Sequence, residues 1–266
     1  MPLRVEVAGT GRPILMLHGN PLDHRVLTVP LEPWFRTGTG HRRIYVDLPG
    51  FGESPASPAV NGSDDMVEVV ERLVDEIAPG ERLLVIGQSF GAYLAEGLIA
   101  RHPHRYAGVA LICPMVVAER ARRDRPDRVV IRTEPGLLDA ADAEAVAAFR
   151  EDAVIEDATT WQFFQTALLP AIRAADPDAV RRIEERYAFE RIDLAATVFD
   201  GPSLVVTGRQ DSTVGYRDAW RVLDRYPRAA FAVLDGAGHN AHVERKDVVL
   251  SLIADWLARV DDEEPA

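Results

Sequence analysis

Short, unbroken apolar runs recur along the chain, separated by longer stretches in which apolar residues return every three or four positions. The runs are Ile14–Leu17, Ile44–Val46, Leu83–Ile86, Val109–Ile112, Leu204–Val206 and Phe231–Leu234. Runs without polar interruption predict strands buried on both faces. That means an α/β fold, a mostly parallel sheet with helices on each side. Leu3–Val7 alternates instead, which suits an antiparallel edge strand.

Two intervening stretches are strongly periodic. In DDMVEVVERLVDEIAPG, Met66, Val70, Leu73 and Ile77 fall on one stripe, with Ser63 or Asp64 as N-cap and Pro79-Gly80 as terminator. In KDVVLSLIADWLARV the stripe is Val249, Leu252, Ile253, Trp256 and Val260, and the closing DDEEPA reads as a solvated acidic tail. Between Met115 and about Ala196 the strand runs vanish, apart from a brief RVVIRT. DAEAVAAFREDAV, ATTWQFFQTALLPAI and PDAVRRIEERYAF read as three helices there. This pattern predicts a core of residues 1–114 and 197–266 with a helical cap, 115–196, inserted after the fourth buried strand. A helical layer that only extends the core is the plainer alternative.

Composition narrows the partners. Of 266 residues, 47% are hydrophobic and 27% charged, as in globular proteins. A net charge of -12 disfavours nucleic acid and anionic membranes. The longest apolar run, Ala107 to Ala118, is broken by Pro114 and is shorter than the roughly 20 residues of a membrane helix. MPLRVEVAGTGRP lacks the plan of a signal peptide, and the single cysteine, Cys113, allows no intrachain disulfide. The expectation is a cytoplasmic monomer or homodimer with no membrane or nucleic-acid partner. Lys246 is the sole lysine, a skew that looks like coding bias and carries no functional reading.

The chemistry starts at LLVIGQSFGAYLAEG. Four apolar residues run into Gly87-Gln88-Ser89-Phe90-Gly91, and a helical pattern follows. Glycines on both sides let strand and helix backbones pass closely, so the turn lifts a serine hydroxyl into an exposed, strained position. Such a hydroxyl needs a base. His239 follows the last apolar run on the glycine-rich VLDGAGHNAHVE loop. His242 falls in the next segment, His102 and His104 end the helix beyond the serine, and His24 and His41 lack comparable placement. The base needs a carboxylate behind it. Asp211 follows Leu204–Val206, whereas Asp200 precedes that strand and Asp235 shares a loop with His239. For the oxyanion, the backbone N–H groups of Asn20, after ILMLHG, and of Phe90 are the candidate donors, with the Asn20 side chain as a third. His18 reads as a packed, hydrogen-bonded residue of a strand-ending turn. Asn20, Ser89, Asp211 and His239 all follow C-terminal strand ends, which share one edge of an open parallel sheet.

On HGNP, YVDLPGFGES, GQSFG, GRQD and GAGH the chain resembles the α/β-hydrolase superfamily, over nearly its whole length and in the family order nucleophile, acid, histidine. The resemblance implies a twisted sheet of about seven or eight strands, one N-terminal edge strand fewer than usual because the first strand begins so early. It implies that Asp47, Gly50, Gly52 and Ser54 shape a loop beside the site. Ser89 stands where haloalkane dehalogenases and capped epoxide hydrolases of this fold carry aspartate, and where dienelactone hydrolases carry cysteine. Proline iminopeptidases have HGGPG in place of HGNP. Asn240 stands where carbon–carbon hydrolases often have tryptophan. The expected activity is acyl-enzyme hydrolysis of a small, largely apolar ester or lactone by Ser89, His239 and Asp211, without metal or organic cofactor. Trp161, Phe163, Phe164, Tyr187 and Phe189 are candidate pocket residues. The alternatives are a carbon–carbon bond hydrolase acting on a ring-cleavage diketone and a triad-bearing ligand sensor.

Overall fold

Leu15 and Leu17 pack against one side of their strand while Ile14 and Met16 pack against the other, and all four are buried. Consecutive side chains of a strand face opposite ways, so an apolar run with no polar break needs a core on both sides of the sheet. The computed structural model, which describes residues 2–38 and 40–263, has those two cores.

The strands are β1 (Val5–Ala8), β2 (Arg12–Leu17), β3 (His41–Val46), β4 (Leu83–Gln88), β5 (Tyr106–Ile112), β6 (Arg132–Thr133), β7 (Ile155–Glu156), β8 (Ser203–Gly208) and β9 (Ala229–Leu234). Seven of them form one sheet in the order β1-β3-β2-β4-β5-β8-β9. β1 pairs antiparallel with β3, as the alternating Leu3–Val7 pattern suggests, and the other pairs are parallel. β6 and β7 form a separate parallel pair of two residues each.

One core face is covered by α2 (Ser63–Ile77) and α3 (Phe90–Arg101), the other by α1 (Arg25–Phe35) and α10 (Lys246–Glu263). The α2 start differs from the sequence expectation. Gly62 is the N-cap and Ser63 is the first helical residue. The Ser63 hydroxyl donates to Tyr187 O at 2.6 Å, and the Asp64 carboxylate accepts from the N–H groups of Glu190 and Arg191. Both side chains find backbone partners far away in sequence instead of capping their own helix. At the other end, Asp261 to Glu263 belong to α10, while residues 264–266 of the expected acidic tail lie outside the described residues.

Helix α1 contains Pro30 and Pro33. Pro30 has no N–H for the carbonyl of Val26, four residues back. His242 supplies the missing donor, its Nε2 lying 3.0 Å from Val26 O. Burial lowers the pKa of His242 to about 4, so the ring is neutral at physiological pH and serves the helix.

Between β5 and β8 lie α4 (Ala143–Asp152), α5 (Ala158–Phe163), a π-helical turn (Phe164–Leu168), α6 (Leu169–Ala174) and α7 (Pro177–Glu185). The stretch expected as one helix over 158–172 is continuous but widened in the middle, where Pro170 takes an N–H out of the ladder. Asp142, Asp157 and Asp176 cap α4, α5 and α7 with their side chains. Two short helices, α8 (Arg217–Trp220) and α9 (Ala241–Glu244), follow β8 and β9. No helix among the described residues is long and apolar enough to cross a membrane.

The register puts the relevant strand ends side by side. Leu17 is opposite Gly87, Gln88 opposite Ile112, Ile112 opposite Val206, and Gly208 opposite Leu234. After β2 the chain moves outward to β3, then returns to place β4 on the other side of β2. That reversal of direction opens a crevice at the strand ends.

Candidate active site

Ser89 leaves β4 with φ 54° and ψ -115°, one of two non-glycine residues of positive φ among those described. A side chain at such a backbone angle is strained and persists only where the surroundings hold it. They do so here. The Ser89 N–H donates to Ile112 O, and the Ser89 carbonyl accepts from the N–H groups of Ala92, Tyr93 and Met115. The two flanking glycines are compulsory. A Cβ on Gly87 would lie 2.6 Å from the backbone of Gly91 and Ala92, and one on Gly91 would come within 2.1 Å of Leu17 O. Gly91→Ala is therefore expected to cost about 3 kcal/mol, because the contact is with sheet backbone and not with a movable side chain. A fall in the urea midpoint at unchanged slope measures it.

His239, which shares a cavity with Ser89, forms a buried pair with Asp211. His239 Nδ1 lies 2.9 Å from Asp211 Oδ2. The other carboxylate oxygen accepts from the N–H groups of Thr213 and Val214, each at 2.9 Å. Burial works to raise the Asp211 pKa, but His239 and those two N–H groups outweigh it and the carboxyl stays below its ordinary range. Burial works against charge on His239 too, yet the charge and hydrogen bond of Asp211 raise the ring above its ordinary value. Both shifts describe one coupled pair in which the imidazolium is stabilised.

The HGN turn runs against the serine. A Cβ on Gly19 would stand 3.0 Å from Ser89 Cβ. His18 is fully buried, its Nδ1 2.8 Å from Gly19 O and its Nε2 accepting from Leu48 N–H, so it fastens the turn. The Asn20 side chain donates from Nδ2 to Glu184 on α7 at 2.8 Å, which engages one of its two N–H groups. The backbone N–H of Phe90, first residue of α3, is one of the groups that a helix start leaves without an intrahelical partner. Asp47 organises the neighbouring loop. Its carboxylate accepts from His24 and from the N–H of Glu53, and these bonds hold it at about 2 although burial pushes the other way.

Asn20, Ser89 and His239 line one cavity of about 840 Å³. Of the candidate aromatic residues, Phe163, Phe164 and Tyr187 line it as well, and Tyr187 stacks on Phe90 at 4.7 Å. Trp161 and Phe189 stand elsewhere. Trp161 packs with Phe149 and Phe164 in a small apolar cluster of the helical segment, and Phe189 stacks on Tyr93 at 4.2 Å. The rejected histidines and aspartates have other duties: His24 bonds Asp47, and Asp235 accepts from Gln210.

Three cavity residues had no signal in the sequence. Glu244 on α9 accepts from Gly238 N–H beside His239, and also from the N–H groups of Val154 and Ile155 after α4. Asp152, at the end of α4, accepts from the Thr213 hydroxyl at 2.7 Å. Arg123 reaches the cavity wall from the segment after β5. Two groups of donor atoms among the described residues are close enough for a metal: Cys113 with Asp211 and His239, and Asp23 with His24 and Asp47. In the first, burial and Asp211 push the Cys113 thiol up, away from the thiolate a metal binds, and Asp211 is already committed to His239 and two N–H groups. In the second, Arg25 occupies both oxygens of Asp23.

A serine on a strained strand-to-helix turn, sharing a cavity with a histidine that is bonded to a buried aspartate, both from later strand ends, is the arrangement of an α/β hydrolase, and the chain belongs to that family. The family's sequence profile, described as the alpha/beta hydrolase fold, matches residues 12–246. The chain is 25% identical over 261 residues to a pimeloyl-[acyl-carrier protein] methyl ester esterase of Shewanella woodyi, covering 96% of this chain and 97% of that protein. It is 24% identical over 267 residues to a 2-hydroxymuconate semialdehyde hydrolase of Pseudomonas sp. strain CF600, covering 96% and 89%. The crystal structure of an alpha/beta superfamily hydrolase from Oenococcus oeni superposes with a TM-score of 0.87 at 27% identity, covering 97% of this chain and all of that one.

Proposed function

We propose that the protein is a serine hydrolase that cleaves a small carboxylic ester or lactone through an acyl-enzyme, with residues 115–196 acting as a cap over the site. The observation that carries this reading is the strained Ser89 opening into the same cavity as His239, whose ring is bonded to a fully buried Asp211. Ser89 Oγ attacks the carbonyl carbon while His239 Nε2 takes its proton, and Asp211 stabilises the imidazolium that results. The backbone N–H groups of Asn20 and Phe90 hold the oxyanion. His239 returns the proton to the leaving alcohol, then activates a water that releases the acid and restores Ser89.

The ring above its ordinary 6.5 fixes the expected pH dependence. The base works only as neutral imidazole, and the protonated fraction grows as pH falls. The profile of kcat/KM should therefore rise with pH through a midpoint above 6.5, the ordinary value from which the ring is raised. A midpoint below the ordinary value would count against the His239–Asp211 pairing as the working base. Steady turnover of a short-chain nitrophenyl ester tests the reaction class. A single burst that leaves a lasting adduct would point to a ligand sensor.

The full-length similarity to a 2-hydroxymuconate semialdehyde hydrolase supports a second reading, cleavage of a carbon–carbon bond beside a carbonyl. A vinylogous diketone offered beside the esters separates the two by their relative kcat/KM.

A further inference from the structure

The cavity wall carries a cation that forms no ion pair with a carboxylate. Arg123 is half-buried, and its Nε, Nη1 and Nη2 donate to the carbonyls of Val117, Thr213 and Ala118 at 2.8, 3.1 and 3.0 Å. Neutral carbonyls hold the guanidinium in place without cancelling its charge. A guanidinium has five N–H donors, so one on each Nη is left over. Arg125 behaves alike, with Nη1 on Ser212 O and Nε buried without a partner, and Arg120 also lines the cavity. Among the described residues, no carboxylate comes within ion-pairing distance of these three arginines. The same wall carries the carboxylates of Glu119, Glu151, Asp152, Glu184, Glu185 and Glu244, so Arg123 stands among acids with which it forms no ion pair.

The acids on the same wall keep their charge but are held by other partners, Glu119 and Glu185 by Arg122 and Arg181. Glu184 is engaged with Asn20, Asp152 with Thr213 and Glu244 with three backbone N–H groups, while Glu151 is exposed on α4. Burial is the largest influence on the Arg123 guanidinium and pushes it down. Tyr187 pulls it up, the like charges of Arg120 and Arg125 push it down further, and the Asp211 carboxylate pulls it up. Through Thr213, whose N–H donates to Asp211, the cation is anchored two residues from the acid of the triad.

We propose that Arg123 forms an anion subsite of the catalytic cavity, with Arg120 adding positive charge on the same wall, and that the substrate carries a carboxylate on the same small molecule as its scissile carbonyl. This rests on the serine-hydrolase reading and replaces the largely apolar substrate expected from sequence. The free N–H pair of Arg123 suits the two oxygens of a carboxylate, and such a bond is far stronger where water is partly excluded.

The test compares 4-nitrophenyl hemiesters of succinate, glutarate and adipate with neutral nitrophenyl esters of equal chain length. At the best length, wild type should prefer the hemiester in kcat/KM by about 10- to 100-fold. Arg123→Gln should reduce that ratio by a similar factor, and Arg72→Gln, which removes the same charge from exposed α2, should leave it in place. No preference at any length, or an equal fall for both ester types in Arg123→Gln, overturns the subsite. The wild-type series decides the matter even if Arg123→Gln fails to fold. Calorimetry with glutarate and glutaramide, which need no turnover, separates the two readings. Glutarate binding lost in Arg123→Gln, with every ester inert, keeps the subsite and sinks the hydrolase; ester turnover without preference or glutarate binding does the reverse.

Discussion

Ser89→Ala is expected to lower kcat by about 10,000-fold or more and to abolish labelling by a fluorophosphonate, with the fold intact. The hydroxyl is the one atom group removed, and no partner of it is lost from the sheet or from α3, because the turn is held by the backbone of Ser89. Ser89→Gly should be equally inactive but more stable than the alanine variant. At φ 54° both serine and alanine place a Cβ in a crowded region, and glycine does not. The relief is about 1–2 kcal/mol, offset in part by the greater freedom of glycine in the unfolded chain, for a net of about 1 kcal/mol. In a chain of this size that is a rise of about 2–4 °C in melting temperature. A labelled Ser89→Ala protein would refute the nucleophile. A glycine variant less stable than the alanine one would refute the strain.

Asp211→Asn is expected to cost about 10,000-fold in kcat while changing the structure little. The reason lies in which way the amide must point. Thr213 and Val214 both present N–H groups to Oδ1, so the amide oxygen of asparagine has to stay there. The amide NH₂ then faces His239 Nδ1 and donates to it. The imidazole must carry its own proton on Nε2, where it cannot accept one from Ser89. A variant with near-normal kcat would show that the tautomer of His239 is held by something other than Asp211. Loss of kcat with an unchanged melting temperature is the outcome that identifies the cause as the proton's position.

Where a residue's position in the fold follows from its place along the chain, the sequence was sufficient. Ser89, Asp211 and Asn20 each follow a buried strand, and parallel strands bring their C-terminal ends to one edge; His239 follows β9, which the sequence reads as buried on both faces but which is half-buried because it is the sheet's last strand. The expected edge strand and both long helices were legible for the same local reason. What depended on distant contacts was not. Ser63 and Asp64 read as helix caps until the 187–191 backbone claimed them. Trp161 and Phe189 are apolar enough for either pocket or packing, and only the neighbours that surround them decide. Helix α1 was hidden by its two prolines, one of which is tolerated because His242 replaces its lost N–H. Arg123 lay in an arginine-rich chain where its type carried no information; the missing ion pair is visible only in three dimensions.

The three bonds to Glu244 have a bearing on turnover. One of its oxygens holds the loop that carries His239, and the other holds the chain leaving α4. A single side chain thus ties the middle of the helical segment, at Val154 and Ile155, to the loop that carries the imidazole. Under the cap reading proposed above, a shift of Val154 and Ile155 is passed to the imidazole, so egress and chemistry share one latch.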